Sequence, residues 1–212
     1  PILIKHFLTN DTLGIYGISN AAILEAVGKC GSSIDLKNLS TIKSYTNKDT
    51  LLVLGQAYGI YRMGLRNIVA SEATARMIKF ATSVEYPKSV RLLGSGYLAR
   101  VKGLGLDSLI SPLIQRLSSE SDPEIRMNLA TAVGTVVNES TASALKNSYS
   151  KESDYRVKVN ILKAFKNFNL FSLTDIAYPA TKDQNPNISQ TAIDLLYDNG
   201  IPRDGYAYYQ MA

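Results

Sequence analysis

The order of apolar and polar residues along the chain predicts helices that are apolar on two sides. The stretch SDPEIRMNLATAVGTVV, residues 121–137, shows the pattern clearly. Ile125 and Leu129 belong to one apolar stripe at helical spacing, and Met127 belongs to a second. Asp122, followed by a proline, has the side chain that favours a helix N-cap. A surface helix of an ordinary domain has one apolar stripe, so this helix is expected to have neighbours on two sides.

The same pattern returns along the chain with a period of 31–32 residues. The segments SDYRVKVNILKAFKNF, residues 153–168, and QNPNISQTAIDLLYDN, residues 184–199, match the stretch above at the cap and at the apolar positions, although Ser189 stands where the other two copies have a base. Weaker copies lie nearer the start, at residues 24–31, 54–64 and 85–99. A repeat of this length indicates a helical array in which each unit packs on its neighbours.

Between these copies lie segments that predict a partner helix for each repeat. They are residues 32–45, 67–83, 105–119, 140–149 and 170–180. Pro112 is expected to kink the third of them, and the opening residues PILIKHFL are expected to end a first partner helix. No segment alternates polar and apolar residues over a useful length, so no sheet is predicted. The expected fold is all-α, an α-α superhelix of about six helical hairpins.

The domain prediction is a single repeat array over residues 1–199, followed by a Tyr-rich tail at residues 200–212. The tail is interpreted as a cap on the last repeat, with docking on a neighbouring domain as the alternative. The first residue is Pro rather than Met, so the chain is interpreted as a processed product or as part of a longer protein.

The helix starts DPEIR, residues 122–126, and DYRVK, residues 154–158, resemble the second helices of HEAT repeats, which are armadillo-type helical solenoids. The resemblance is strong in the last three copies and weaker towards the start, where PKSVR lacks the capping Asp. It implies a right-handed superhelix with an internal polar ladder, built from the acid and the base of successive repeats. The ladder residues would be Asp122, Arg126, Asp154 and Lys158.

A weaker similarity is to the helical segments that accompany peptidyl-prolyl isomerase domains in some large bacterial envelope proteins. Nothing in the chain resembles the isomerase catalytic domain, which is a β-barrel. This resemblance implies that any such activity lies elsewhere in a parent protein. It agrees with a location in the bacterial envelope or periplasm, but the sequence leaves the compartment open.

Each second helix keeps a narrow polar line between its apolar stripes. The resemblance implies that second helices line the concave surface of the solenoid, so these lines are the candidate binding surface. The candidates are Glu25, Lys29, Val53, Gln56, Ile60, Leu93, Arg100, Asn128, Thr131, Asn160 and Lys163. Val53, Ile60 and Leu93 are apolar where later copies are polar. They are either an exposed protein-binding cluster or, if the early repeats are irregular, buried residues.

The amino-acid composition argues against several kinds of functional site. The 212 residues are 45% hydrophobic and 19% charged, with a net charge of +5, which is typical of a folded, mildly basic protein. The single cysteine, Cys30, excludes an internal disulfide, and the presence of only one histidine, His6, argues against His-based catalysis and metal binding. No metal or cofactor is predicted, and no apolar run reaches the length of a membrane span. The Gly-rich stretch at residues 94–105 is attributed to close helix packing rather than to phosphate binding.

The function predicted from these patterns is a non-catalytic scaffold that binds a protein or peptide, as a region of a larger multidomain protein. One alternative is a HEAT-like segment of a bacterial peptidyl-prolyl isomerase whose catalytic domain lies elsewhere. The other is a nucleic-acid-binding helical-repeat protein, because the middle of the chain is basic. The residues behind that alternative are Arg62, Arg66, Arg76, Arg91, Arg100 and Lys102.

Overall fold

The computed structural model of the protein describes residues 17–43 and 45–199, and within these ranges it contains eleven α-helices, two 3₁₀ turns and no strand. The all-α prediction is therefore confirmed. The opening segment PILIKHFL and the tail at residues 200–212 lie outside the described residues. The chain divides into two compact units, residues 1–105 and residues 106–212, and the prediction of a single domain stays a prediction.

Unit 1 contains five of the helices. They are α1 (Gly17–Cys30), α2 (Ser33–Thr41), α3 (Thr50–Leu65), α4 (Ser71–Thr82) and α5 (Lys88–Arg100). Each helix packs on the next along the chain, and alternate helices also pack on one another. Thus α3 contacts both α1 and α5, while α2 contacts α4. The odd-numbered helices are the predicted second helices, so in this unit they form one layer.

Glycines set the close approach of α1 and α3. A Cβ added to Gly28 would lie 2.4 Å from the carbonyl oxygen of Gly59. A Cβ added to Gly55 would lie 2.6 Å from the backbone of Ala21. Real Cβ atoms do not come this close to a backbone, so the two helices pack main chain against main chain. On the other flank of α3, a Cβ at Gly64 would meet the ring of Tyr97 on α5 at 2.7 Å.

Unit 2 repeats the arrangement with six helices and two 3₁₀ turns. The turns are Asp107–Leu109 and Phe165–Asn167, and the helices are α6 (Ile110–Ser119), α7 (Pro123–Val133), α8 (Glu139–Lys151), α9 (Tyr155–Ala164), α10 (Leu170–Ala180) and α11 (Pro186–Asn199). Here α9 contacts both α7 and α11, and α6 contacts α8. The layer of second helices is thus α7, α9 and α11.

The predicted helix starts in unit 2 are confirmed. The carboxylate of Asp122 accepts hydrogen bonds from the amides of Glu124 and Ile125, at 3.0 and 3.2 Å. Asp154 accepts from the amide of Arg156 at 2.9 Å. Each carboxylate pairs with amides that the helix itself leaves without a partner, which stabilises its first turn.

Three details of the sequence prediction are corrected. Pro112 lies in the first turn of α6, where the helix needs no amide donor, so it does not kink the helix interior. Helix α4 begins at Ser71 rather than at residue 67, because Asn67 adopts a left-handed φ of 61° that ends the preceding helix. Helix α7 ends at Val133, so the second stripe predicted for it runs past the helix: Ala130 is fully buried, but Val137, four residues beyond the helix end, is 52% exposed.

Candidate functional site

The concave-face prediction fails for the helix α3. Val53, Gln56 and Ile60 are 1%, 1% and 0% exposed, so none of them lies on a surface. They turn inwards because α3 packs on neighbours along both flanks, and the amide nitrogen of Gln56 donates to the carbonyl of Leu39 at 2.8 Å. Gln56 therefore caps the C-terminal end of α2, which is a structural role. Of the two alternatives for the apolar candidates, burial is the correct one for Val53 and Ile60.

The exposed side of α3 carries a different set of side chains. Leu51, Tyr58 and Leu65 are 51%, 39% and 53% exposed, and they lie seven residues apart along one line of the helix. We call these three residues the α3 ridge. Arg62 is also exposed on this side, and its guanidinium lies 3.1 Å from the Glu25 carboxylate on α1.

The remaining unit 1 candidates lie at or near the surface. Glu25 pairs with Lys29 at 3.1 Å on its own helix, besides its contact with Arg62. The hydrogen bond from Lys29, joined by that from Arg62, lowers the pKa of Glu25 below its usual value. Leu93 is half-buried and Arg100 is exposed, both on α5. Whether any of these residues binds a partner stays a prediction.

In unit 2 the second helices form an open groove. It lies along α9 and the start of α11 and encloses about 590 Å³. Its lining consists of Met127, Tyr155, Arg156, Val159, Asn160, Lys163, Pro186, Asn187, Gln190 and Thr191. We call this the α9–α11 groove. Two of the predicted candidates, Asn160 and Lys163, lie in it, whereas Asn128 and Thr131 are half-buried on α7 outside its lining.

The polar side chains of the groove differ in how far other residues of the protein hold them. The guanidinium of Arg156 is held by Asp154, with Nη2 2.7 Å and Nε 3.1 Å from the two carboxylate oxygens. This contact is the main cause that lowers the pKa of Asp154 to about 2. The amide nitrogen of Asn160 donates to the carbonyl of Arg156 at 2.8 Å, and Lys163 is exposed. Asn160 and Lys163 thus line the groove about one helix turn apart.

Apolar side chains complete the groove, and the sequence analysis did not assign them to it. Tyr155 is 43% exposed at the first position of α9, and Val159 lies one turn further on. Each comes one residue before a polar residue of the groove, Tyr155 before Arg156 and Val159 before Asn160. The residues next to the predicted polar line could have been added to the candidates, because the wall of a groove between two helices is wider than a single line of side chains.

The polar ladder exists in unit 2, but its acidic partners differ from those expected. Arg126 donates from Nε and Nη2 to the two carboxylate oxygens of Glu152, at 2.7 and 2.9 Å. Lys158 reaches Asp183 at 3.7 Å. Each base therefore pairs with an acid that lies two residues before the next helix cap, not with the capping Asp itself.

These acids are a second repeated feature that sequence reasoning missed. Glu120 accepts from the amide of Asp122 at 3.0 Å, and Glu152 accepts from that of Asp154 at 2.9 Å. Asp183 does the same at the start of α11. Burial alone would raise the pKa of Glu152, but the hydrogen bonds from Arg126 and from backbone amides lower it overall. The recurrence of an acid two positions before each cap was the available signal.

Two arginines of unit 1 cap the ends of helices. Arg66 donates to the carbonyls of Gly31 and Gly28, at 3.0 and 3.3 Å, at the end of α1. Arg76 donates to the carbonyls at the end of α2, with its shortest contact, to Ile42, at 2.8 Å. A guanidinium is well suited to carbonyls that a helix leaves without donors. These two arginines therefore have structural partners within the unit.

A more enclosed cavity of about 430 Å³ lies between α6 and α8 in unit 2. Its wall includes Glu120, Arg126 and Glu152, whose charges are paired within the ladder and with Arg116. Within the ranges that the structure describes, no three His, Cys, Asp or Glu side chains are placed to hold a metal ion. None of the helices there is long and apolar enough to cross a bilayer.

No protein-family model matches the chain, and a search of curated proteins finds no match. The HEAT-repeat resemblance therefore stays a prediction. The α3 ridge and the α9–α11 groove are the two surfaces at which a partner could bind.

Proposed function

We propose that this chain is a non-catalytic scaffold that binds a protein or peptide partner. We further propose that it is a HEAT-like solenoid of about six hairpins and a region of a larger multidomain protein. The packing of alternate helices on one another within each unit supports the solenoid proposal. The 31–32-residue period and the ladder of bases and acids in unit 2 support the HEAT-like character.

The observation that carries the binding proposal is the α9–α11 groove. Its side-chain amides can both donate to and accept from a peptide backbone. Tyr155 and Val159 supply apolar area for a partner side chain, and Lys163 supplies a positive charge for an acidic one. Peptide sites commonly combine backbone hydrogen bonds with a few pockets for side chains. An acidic peptide with one large apolar side chain is the ligand that fits these groups.

The test is selection of ligands from a random peptide library on the full chain, followed by affinity measurement of the selected peptides. The double variant N160A/K163A should weaken binding about tenfold, since it removes an amide and a charge from the centre of the groove. Lys166→Ala is the matched control, because Lys166 is exposed on the turn that follows α9 but is not part of the groove lining. Selection of no peptide, or equal binding by both variants, would contradict the proposal.

The isomerase alternative makes a separate prediction about activity. A chain without the catalytic barrel should not accelerate cis–trans isomerisation of a proline-containing test peptide. Its rate in the presence of the chain should equal the uncatalysed rate, which has a time constant of about 10–100 s at 25 °C. A faster rate that grows with chain concentration would overturn the non-enzyme proposal.

The nucleic-acid alternative is weakened by the contacts of its own residues. Arg62, Arg66 and Arg76 each have an acid or a set of helix carbonyls as partner. A phosphate-binding surface needs several cations that can neutralise phosphates together and release counterions. Retention on a polyanion column with a steep dependence on salt would favour this alternative over protein binding.

A further inference from the structure

The positive charge of the chain is concentrated in unit 1. Residues 17–105 contain 12 Lys and Arg and five Asp and Glu, a net charge of +7. Residues 106–199 contain nine Lys and Arg and 11 Asp and Glu, a net charge of −2. Because like charges repel and opposite charges steer association, unit 1 favours an acidic partner.

The same unit exposes the α3 ridge. Its three residues span 14 positions of a single helix, which corresponds to about 21 Å at a rise of 1.5 Å per residue. Leu54 and Tyr61 lie half-buried on the same side and widen the apolar line. Scattered exposed apolar residues need no explanation, but three exposed and two half-buried ones on one side of one helix form a contiguous apolar surface.

The neighbours of α3 define the setting of the ridge. Gly59 on one flank packs on α1, and Gly64 on the other flank packs on α5. The ridge therefore runs along the middle of a three-helix layer. Arg62 lies on the ridge side of α3, and Lys29 and Arg62 both contact Glu25, so this group of three carries a net positive charge. Two cations that share a single carboxylate thus lie beside the apolar line and leave one positive charge in excess for a partner.

On this basis, and resting on the proposed scaffold function, we propose that the α3 ridge binds an amphipathic helix of a partner protein whose flanks are acidic. A helix of about four turns matches the length of the ridge, and apolar residues at its i, i+4, i+7 and i+11 positions would cover Leu51, Tyr58 and Leu65. Glu or Asp beside that stripe would meet Arg62 and Lys29.

Two other occupants fit the observations less well. A second copy of the chain would bring two units of net charge +7 together, which opposes association. A membrane surface is favoured by apolar side chains that protrude, yet the ridge residues are only about half exposed, whereas Phe171 in unit 2 is 80% exposed. A partner helix that lies along the ridge can reach such half-exposed side chains.

The experiment measures binding of a designed helical peptide of about 16 residues to the full chain by fluorescence anisotropy. The peptide carries Leu at i, i+4, i+7 and i+11 and Glu beside that stripe. A twin peptide replaces each Glu by Lys, and a third scrambles the order so that no stripe forms. We expect the acidic peptide to bind at least about tenfold more tightly than either, with the advantage over the Lys twin shrinking between roughly 50 and 500 mM salt.

The variant L51Q/L65Q should weaken binding of the acidic peptide about tenfold. The control is Phe171→Gln, which removes an even more exposed apolar side chain from unit 2 and should leave binding unchanged. Circular dichroism at 222 nm establishes that both variants are folded, and a variant that unfolds is replaced by Tyr58→Gln.

Each contrary result overturns the proposal. These are equal binding of the three peptides, a loss with Phe171→Gln that equals the loss with L51Q/L65Q, or a dimer in sedimentation that L51Q/L65Q abolishes. Binding to vesicles of anionic phospholipid, without binding to the acidic peptide, would assign the ridge to a membrane instead. The scaffold proposal is tested by a different experiment, in which N160A/K163A is measured with the peptides selected from the library. If the designed helical peptide does not bind the ridge, that result therefore does not decide whether the α9–α11 groove binds a partner.

Discussion

The helices α3 and α9 are each the middle helix of the layer of second helices in their unit, but their exposed sides differ in chemical character. Each contacts a second helix on either side, yet the exposed side of α3 is formed by Leu51, Tyr58 and Leu65, while that of α9 includes Asn160 and Lys163. The packing requirement is the same in both cases, because it is met by the two flanks and the inner side of the helix. The outward side is left free to differ, and it is where we place function.

The largest effect is expected from the packing that brings α3 against α1. Gly59→Val would place a Cβ 2.5 Å from the carbonyl oxygen of Leu24, a backbone atom that cannot move without shifting the helix. We expect a loss of about 3 kcal/mol in the free energy of unfolding, measured by urea denaturation. Ala22→Val, on the exposed side of α1, is the control and should cost only about 0.5 kcal/mol. Equal losses would contradict the close approach.

Next in size is the ladder contact in unit 2. Arg126→Met leaves the carboxylate of Glu152, whose side chain is 6% exposed, without its cation. We therefore expect the free energy of unfolding, measured by urea denaturation, to fall by about 2–3 kcal/mol. The double variant R126M/E152M should recover part of that loss, because neither charge is then left alone. Arg156→Met is the comparison variant: the Arg156 guanidinium lies at the surface, so its loss should lower the free energy of unfolding by less than Arg126→Met does. A double variant less stable than Arg126→Met would contradict an interaction of this kind.

The contrast between α3 and α9 also explains how much the sequence could predict. On α9 polar and apolar positions alternate at helical spacing, so the outward line with Asn160 and Lys163 could be recognised from the pattern alone. The helix α3 is apolar nearly all round, with Leu51, Val53 and Ile60 alike in hydrophobicity. Hydrophobicity therefore cannot distinguish its inner side from its outer side.

Glycines were the informative residues on α3. Gly55 and Gly59 lie four positions apart and mark the flank that approaches α1, which leaves the opposite flank and the outer side to be assigned. Helix existence and the capped starts were predictable because they depend on local chemistry. The partners of Arg126 and Lys158 were not, because an acid just before a helix cap and the base of the previous repeat meet only after the two repeats pack.

Acid should affect unit 2 through the capping carboxylates. The folded pKa of Asp154 is about 2, against an ordinary value of 3.8, chiefly because of the hydrogen bond from Arg156. A lowered pKa gives stability that is present above pH 3.8 and lost as the pH falls towards 2. The variant D154N keeps a side chain that can cap the helix but does not titrate. The wild-type protein should be the more stable at pH 7, and the difference in urea midpoint should shrink between pH 4 and 2. A difference independent of pH would contradict this account.

The smallest effect should come from the α3 ridge itself. If the outward side of α3 serves binding rather than folding, Tyr58→Gln should change the free energy of unfolding by less than about 0.5 kcal/mol. Tyr86→Gln is the matched control, since that ring is 6% exposed and lies edge-on to Phe80 at 5.1 Å between centroids. Tyr86→Gln should lower the free energy of unfolding by about 2–3 kcal/mol, because it removes buried apolar contacts and the contact between the two rings. Comparable losses for the two tyrosines would mean that the ridge is part of the packed core of unit 1, and the contrast between α3 and α9 would then be one of packing and not of binding surface.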